Sequence, residues 1–377
     1  MSLSKSRFIE MFGDVINNKK TWPTKRWSDV LNIVNGKNQK KVECENGIYP
    51  ICGSGGKIGK TNEYLTKENS VIIGRKGNIN NPILMKTKFW NVDTAFGLEP
   101  NNKEINVEYL YKFCELFDFQ RLNKTVTIPS LTKSDLLKIE IPVPPMKLQE
   151  EYRNFLAQVD KSKFFLQKIL EKLELLKKSR FIEMFGRLGC DDKKWGLVSL
   201  GEFCLLNPQK SELHNISDDT EVSFLPMSSV SENGELTLSE RKLYRDVKSG
   251  FSYFAEGDVL FAKITPCMEN GKGAVAHGLC NNIGFGSTEF HVLRAKTSVC
   301  NPYWLYELLS LKQFRKIAEQ NMTGSAGQKR VPAKFLQNFK LSLPPIELQN
   351  EYVSISRQID KSKLVIQKSL EDLVGKS

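Results

Sequence analysis

Lys5-Ser-Arg-Phe-Ile-Glu-Met-Phe-Gly13 occurs a second time, residue for residue, as Lys178-Ser-Arg-Phe-Ile-Glu-Met-Phe-Gly186. Working outward from this stretch, a second repeat appears at a different spacing. Pro144-Pro145, Leu148-Gln149, Glu151-Tyr152, Asp160-Lys-Ser-Lys163 and Gln167-Lys168 return 200 positions later as Pro344-Pro345, Leu348-Gln349, Glu351-Tyr352, Asp360-Lys-Ser-Lys363 and Gln367-Lys368. The chain is built twice, and repeats on this scale decide the architecture before any local reading does. Taken at their two offsets, Ser4 and Ser377 both correspond to Lys177. The C-terminus therefore stops in the repeat where the N-terminus begins. The expectation is a circular two-part object opened inside one helix, with adjacent termini.

Residues 148–186 follow the breaker Ile141-Pro-Val-Pro-Pro145 and run free of proline to Gly186, a start and a stop where a helix needs them. At ~1.5 Å per residue such a helix is ~58 Å long. Apolar residues repeat in heptads: Tyr152, Val159, Leu166 and Leu173 form one row, and Leu148, Phe155, Ile169 and Leu176 the other, with Ser162 a polar exception. The second copy repeats the register through Tyr352, Ile359, Ile366 and Leu373, beside Leu348 and Ile355. Two such stripes are expected to pair as a coiled coil.

The repeats bracket two blocks that differ from each other in sequence. Each has short β-prone runs punctuated by Gly and Asn, namely Ser70–Gly74 and Phe89–Val92 in the first, and Glu221–Leu225, Asp258–Ala262 and Thr288–Leu293 in the second. Each then reaches a helical segment, Val107–Phe119 and Tyr303–Asn321. The fold class is α+β: two mixed α/β domains separated by two long antiparallel helices in a pseudo-twofold circular arrangement. The divisions are 1–13 for the distal end of the helical repeat, 14–145 for the first domain, 146–186 for the central helix, 187–345 for the second domain, and 346–377 for the C-terminal helix.

The net charge of +12 over 377 residues favours an anionic partner. The excess is uneven: 20 Lys and Arg stand against 14 Asp and Glu in residues 14–140, but 19 against 17 in 187–340. The eight cysteines contain no Cys-x-x-Cys pair and the three histidines are scattered, which argues for reduced thiols in a cytoplasmic protein and against zinc. No signal peptide and no membrane-length apolar run is present.

Catalytic patterns fail on inspection. Gly53-Ser-Gly-Gly-Lys-Ile-Gly59-Lys60-Thr61 ends like a phosphate-binding loop, but the glycine that such a loop requires is replaced by Ser54, and no helical pattern follows. Asn301-Pro-Tyr-Trp304 has one proline too few for an adenine methyltransferase loop, and Glu240-Arg-Lys242 with Asp218 or Asp219 is a weak nuclease pattern. The chain reads as non-catalytic, with no cofactor or metal of its own.

Binding chemistry remains. Ser54, Lys57 and Lys60 sit in a glycine-rich turn that offers amides and cations to a sugar-phosphate backbone; Arg75, Lys76 and Asn78 follow the strand at 70–74. Lys124 and Thr125 in the first block, and Ser325, Gln328, Lys329 and Arg330 in the second, occupy equivalent places after the helical segment. Lys263, Asn270 and Lys272 lie in one loop of the second block. Cations address phosphates, while amides and guanidinium groups can also read base edges.

On these residues the chain resembles the DNA-specificity (S) subunits of type I restriction-modification systems. The resemblance rests on Lys5–Gly13 with Lys178–Gly186, and on Pro-Pro-x-x-Leu-Gln-x-Glu-Tyr at 144–152 and 344–352. It also rests on Tyr49–Gly59 and Ile73–Gly77 of the first block, and on Gly257–Lys272 and Gly286–Leu293 of the second. It implies two target-recognition domains, each reading half of a bipartite sequence in double-stranded DNA, with helices that set the gap. It further implies assembly with two methylation (M) subunits that bring S-adenosylmethionine and flip the target adenine, and optionally with restriction (R) subunits that use ATP and Mg. An orphan or antirestriction DNA-binding protein without productive enzyme partners is the alternative.

Overall fold

Gln149 and Gln349 explain why the Pro-Pro-x-x-Leu-Gln pattern is repeated. Each side chain is fully buried one turn into a long helix. Gln149 accepts from the Asn106 amide at 2.9 Å and donates to the carbonyls of Glu104 and Pro144 at 3.1 and 2.8 Å. Gln349 accepts from the Asn301 amide at 2.8 Å and donates to Val299 and Pro344 at 2.9 and 2.8 Å. Asn106 and Asn301 are themselves helix N-caps, accepting from the Tyr109 and Tyr303 amides. One amide side chain thus ties the start of a long helix to the start of a domain helix, twice.

The computed structural model describes residues 3–122, 129–325 and 327–374. The chain forms two compact units, residues 1–168 with 366–377, and residues 169–365. The first unit begins with α1 (Leu3–Phe12), β1 (Thr24–Arg26), α2 (Trp27–Val30), β2 (Leu31–Asn35), β3 (Tyr49–Gly53) and β4 (Gly56–Thr61). It continues with β5 (Ser70–Gly74), β6 (Ile83–Met85), β7 (Trp90–Asn91), β8 (Ala95–Pro100), α3 (Val107–Leu116), α4 (Lys133–Leu136) and β9 (Glu140–Pro142). The long helix α5 (Met146–Phe185) follows, contributing its first 23 residues, 146–168, to this unit.

The second unit has β10 (Leu197–Ser199), α6 (Leu200–Phe203), β11 (Cys204–Leu206), β12 (Glu221–Leu225), β13 (Arg241–Leu243), α7 (Tyr244–Val247), β14 (Ser252–Ala255) and β15 (Val259–Ala262). Then come β16 (Gly273–Val275), β17 (Ile283–Gly286), β18 (Phe290–Ala295), α8 (Pro302–Ser310), α9 (Lys312–Gln320), α10 (Ala333–Asn338) and β19 (Lys340–Ser342). The helix α11 (Ile346–Val374) ends the described chain.

The two domains share a topology that their sequences hide. The antiparallel sheet β2-β8-β5-β6 of the first has the same order as β11-β18-β15-β16 of the second. Each domain also has a sheet containing one parallel pair, β3 with β7 and β12 with β17, and a two-stranded ladder, β1 with β9 and β10 with β19. The β-prone runs become strands near their expected places. The second helical segment, expected unbroken over 303–321, is instead two helices with Leu311 extended between them.

The duplicated nonapeptide is a plug. In the first unit Phe8 and Phe12, both fully buried, lie 5.3 and 5.6 Å from the Tyr152 ring. In the second, Phe181 and Phe185 lie 5.2 and 5.4 Å from Tyr352. Here α5 and α11 run antiparallel, since Glu174 and Lys177 of one meet Lys363 and Asp360 of the other.

One row of the expected heptads holds and the other shifts. Tyr152, Val159, Tyr352 and Ile359 are buried, and Leu166, Leu173, Ile366 and Leu373 are half-buried. Ile169, assigned to the seam, is instead 42% exposed, and Leu176 is 46% exposed. The second row is Leu156, Lys163, Leu170 and Lys177, with Ser356, Lys363 and Leu370 on α11, one residue further along; Phe155 and Ile355 remain half-buried at its edge. Lysine stems cover apolar surface while their ammonium groups reach carboxylates, so a row that reads as polar can still pack.

Candidate nucleic-acid interface

The hairpin of β3 and β4 brings Ser54 to its tip, and the chain after β5 is pulled against it. A Cβ on Gly74 would lie 2.1 Å from the Asn78 carbonyl and 3.1 Å from the Ser54 Cβ, so only glycine permits this approach. The approach gathers Ser54, Arg75, Lys76 and Asn78. Lys57 and Lys60 are exposed along β4, Lys57 opposite Cys52 near the tip and Lys60 opposite Pro50 further from it. The glycine-rich stretch is therefore a strand pair, with Lys60-Thr61 inside β4 and not at a helix N-terminus.

The residue leaving the central strand is threaded the same way in both domains. Arg75 donates its amide to Thr94 and accepts from the Leu131 amide, 2.8 and 2.9 Å. Lys263, leaving β15, donates to Glu289 and accepts from the Val331 amide, both 2.9 Å. One residue on, Lys76 bridges Ser130 and Ile264 bridges Arg330; one further, the Gly77 amide reaches Pro129 and the Thr265 amide Lys329. The segments at 129–131 and 329–331 thus occupy the same position, as their placement in sequence suggests. Lys124 and Thr125 lie outside the described residues.

The expected site residues separate by role. Lys76 and Asn78 are exposed, and the Arg75 guanidinium lies 5.7 Å from the Phe96 ring centroid. In the second domain Thr323 and Arg330 exchange backbone hydrogen bonds of 2.9 and 2.8 Å, closing a turn that holds Ser325, Gln328 and Lys329 exposed beside half-buried Lys263. Arg330 points back into the fold. Its guanidinium forks onto Glu289 at 2.9 and 2.8 Å, which holds the Glu289 carboxyl below the usual range. Lys272 likewise turns inward, donating to the Met227 carbonyl at 3.2 Å. Asn270 is exposed but sits apart, in a cleft with Tyr306, Lys312 and Lys316. Of the residues that the sequence groups with the others, Lys272 and Arg330 are held by internal acceptors, and the turns of the β15–β16 loop place Asn270 in that separate cleft.

Other residues shape the site from within the fold. His291, 5% exposed on β18, bonds the Val331 carbonyl through Nε2 at 2.8 Å, while Nδ1 meets Asn207 Nδ2 at 3.3 Å. Burial pushes its pKa down. Asn80 donates to Asp118 Oδ1 at 2.9 Å and accepts from the Phe119 amide at 2.8 Å. Arg315, 6% exposed on α9, has hydrogen bonds among the described residues to backbone carbonyls. Its place in the buried stripe with Phe314 and Ala318 was the available clue.

Asp218 pairs with Lys248 and Asp219 with Arg245, while Lys242 lies over the Phe224 ring at 3.6 Å. Among the described residues no group of three or more His, Cys, Asp and Glu is placed to hold a metal ion. All eight cysteines are free thiols. No described helix is long and apolar enough to cross a membrane.

The family described as Type I restriction modification DNA specificity domain matches twice, over residues 19–175 and 192–374. The chain belongs to this specificity-domain family. Each match takes in one sheet pair, one strand-end joint and much of a long helix. The specificity subunit of the Escherichia coli type I restriction enzyme EcoAI is 37% identical over 194 residues, 48% of this chain and 32% of that protein. The EcoEI specificity subunit, also from E. coli, is 35% identical over 184 residues, 46% of this chain and 30% of its own length. The matched segments thus span about a third of these two relatives. The MjaVIII specificity subunit of Methanocaldococcus jannaschii is 22% identical over 98% of this chain and 92% of its own. Among solved structures, a chain from a type I R-M system studied for complex assembly superposes with a TM-score of 0.59 at 17% identity, covering 93% of each chain. The S subunit from M. genitalium gives 0.50 at 16% identity, covering 95% of this chain and 94% of its own. These two likenesses establish the specificity-subunit fold.

Proposed function

We propose that this chain is the DNA sequence-specificity subunit of a type I restriction-modification complex, each domain reading one half of a bipartite target. The observation that carries this is the duplicated strand-end joint. The same backbone frame presents Arg75, Lys76 and Asn78 with Ser54 in one domain and Lys263, Ser325, Gln328 and Lys329 in the other. A constant frame carrying different polar side chains suits two readers of different sequences, with phosphate contacts positioning and base contacts specifying.

The family supports assembly with methylation subunits, and the surface supplies a matching repeat. Phe164 and Phe165 on α5 are 56% and 52% exposed, and Leu364 and Val365, at the corresponding positions of α11, are 62% and 60% exposed. Two equivalent apolar pairs fit two copies of one partner. In this reading the long helices set the gap between half-sequences, and methyl transfer from S-adenosylmethionine belongs to the methylation subunits, as ATP and Mg belong to any restriction subunits. This chain contributes no reacting group, and its place is the cytoplasm, with the DNA.

Methylome sequencing of cells with and without the gene tests the reading. A bipartite methylated motif that disappears with the gene is expected. Exchange of residues 14–140 for those of another family member is expected to change one half-sequence only. Methyl transfer by the isolated chain, or a change in both halves, overturns it.

A further inference from the structure

The loop joining β15 to β16, residues 263–272, is held by a side chain outside it. Arg315 Nε donates to the Leu309 carbonyl at 2.7 Å, Nη1 to Met268 at 2.9 Å and Lys272 at 3.5 Å, and Nη2 to Gly271 at 3.2 Å. The guanidinium lies 4.5 Å from the Phe261 ring centroid, at the end of the strand from which the loop departs. None of its hydrogen bonds among the described residues goes to a carboxylate. A buried cation costs stability unless it is both hydrogen-bonded and paired with a counter-charge; this one has the hydrogen bonds without a carboxylate among the described residues, and what they secure is the path of one loop and the end of α8. Leu309 belongs to the last turn of that helix, whose carbonyls lack helical partners, and Gly271, at φ +91°, lets the loop close around the guanidinium.

The first domain solves the same problem with other atoms. Its loop from β5 to β6 is tied by Asn80, which clamps the Asp118 carboxylate and the Phe119 amide just beyond α3. In both domains the loop after the central strand is fastened to the chain that follows the domain helix. The fastening comes from helix to loop in one domain and from loop to helix in the other. Simple sharing of ancestral residues does not account for that. A common demand for a fixed loop does.

We propose that Arg315 is the positioning residue of the second domain's β15–β16 loop, fixing through Met268, Gly271 and Lys272 the path of the loop that begins at Lys263, and that Asn80 serves the first domain's β5–β6 loop, which carries Arg75, Lys76 and Asn78, in the same way. The proposal rests on the reading given under Proposed function. Arginine is required because one planar fork must satisfy four carbonyls. Lysine keeps the charge but offers three donors from a single point.

The test uses the full chain assembled with its methylation subunits. In Arg315→Lys, amide exchange over 268–272 is expected to rise at least about tenfold, and discrimination at one half-sequence to fall by at least about tenfold, the scale of one mismatched base pair. The other half-sequence stays as in the parent. Asn80→Ala is expected to relax the opposite half, and its exposed clamp keeps the proposal testable if Arg315→Lys does not fold. Equal weakening at both halves, faster loop exchange with unchanged discrimination, or unchanged exchange each overturns the positioning role. A parent complex with no sequence preference instead overturns the underlying reading, and the exchange measurement separates the two failures.

Discussion

The Tyr152 hydroxyl donates to the backbone carbonyl of Ser4 across 3.1 Å, and the Tyr352 hydroxyl makes the same bond to Lys177 across 3.4 Å. Ser4 and Lys177 are the residues that immediately precede the duplicated nonapeptide. Each unit thus reads the start of its plug through a carbonyl, which every residue has, while the two aromatic rings of the plug supply the buried area. The joint tolerates different side chains at its first residue because it bonds the main chain there.

If the rings carry the energy and the hydroxyl the register, the two can be separated. Phe12→Ala is expected to cost about 3–5 kcal/mol, the range for a buried Phe truncated to a cavity. Tyr152→Phe is expected to cost about 1 kcal/mol, the usual net value of one hydrogen bond. Denaturant unfolding of the full chain measures both, and equal costs would mean that the plug is not an aromatic lock.

Side chains do differ at the first residue. Lys177 reaches Glu307 at 2.6 Å and Asp360 at 2.9 Å, and Ser356 completes the Glu307 carboxylate at 2.8 Å. Lys177→Met leaves Glu307 largely buried without its cation, and a loss of about 3–5 kcal/mol is expected. Adding Glu307→Leu is expected to restore most of it, since the uncompensated charge is what costs. A double mutant no more stable than Lys177→Met would show that the pair is itself the stabilising element.

How much of this was legible depended on whether the signal was local. The plug, the long helices and the strands at 70–74 and 221–225 follow from repeats and periodicity that any folded context preserves. The seam row through Lys163, Lys177 and Lys363 was hidden because two heptad phases fit the same first row, and counting apolar residues favoured the one with Ile169. Arg330 looked like a free cation because Glu289, its partner, is 41 residues away. The break at Leu311 has no proline or glycine to announce it. There the guanidinium of Arg315 donates to the carbonyl of Leu309 six residues back, a local side-chain cap that no standard helix-stop pattern announces.

His291 makes the second domain sensitive to mild acid. Its folded pKa is lowered by burial, so the neutral ring is the form that the fold holds between Val331 and Asn207. As pH falls through the unfolded value of ~6.5, the unfolded chain takes up the proton first. The stability that depends on the neutral ring is present above that value and is lost as pH falls from it toward the lower folded value. Urea midpoints across roughly pH 5 to 8 are expected to show this fall in the parent and a smaller one in His291→Gln. Identical slopes would remove His291 as the cause.

The exposed pairs on the long helices predict a partner effect without a folding effect. Phe164→Ala with Phe165→Ala, and separately Leu364→Ala with Val365→Ala, remove surface that is more than half exposed, so thermal unfolding should change little. Each double substitution is expected to weaken capture of one methylation subunit and leave the other bound, read as a shift in complex mass. Full two-copy assembly in both variants would exclude these pairs as docking sites.

Arg75 and Lys76 give the most direct test of the interface. Both leave a strand whose backbone is already fixed by Thr94, Leu131 and Ser130, so removing their side chains should spare the joint. Each phosphate deprived of its cation should lower the slope of log affinity against log salt by about 0.9. Arg75→Ala with Lys76→Ala is therefore expected to reduce the slope of the assembled complex by up to about 2, with a weaker affinity at low salt and a smaller deficit at high salt. If both side chains bind phosphate, weakening should be similar on matched and mismatched DNA. If Arg75 instead reads a base edge, the slope falls by about 1 and discrimination falls with it. A parent-like slope and affinity would leave the pair as a solvated turn, and the place where the first domain meets DNA would have to be sought along Lys57 and Lys60 of β4.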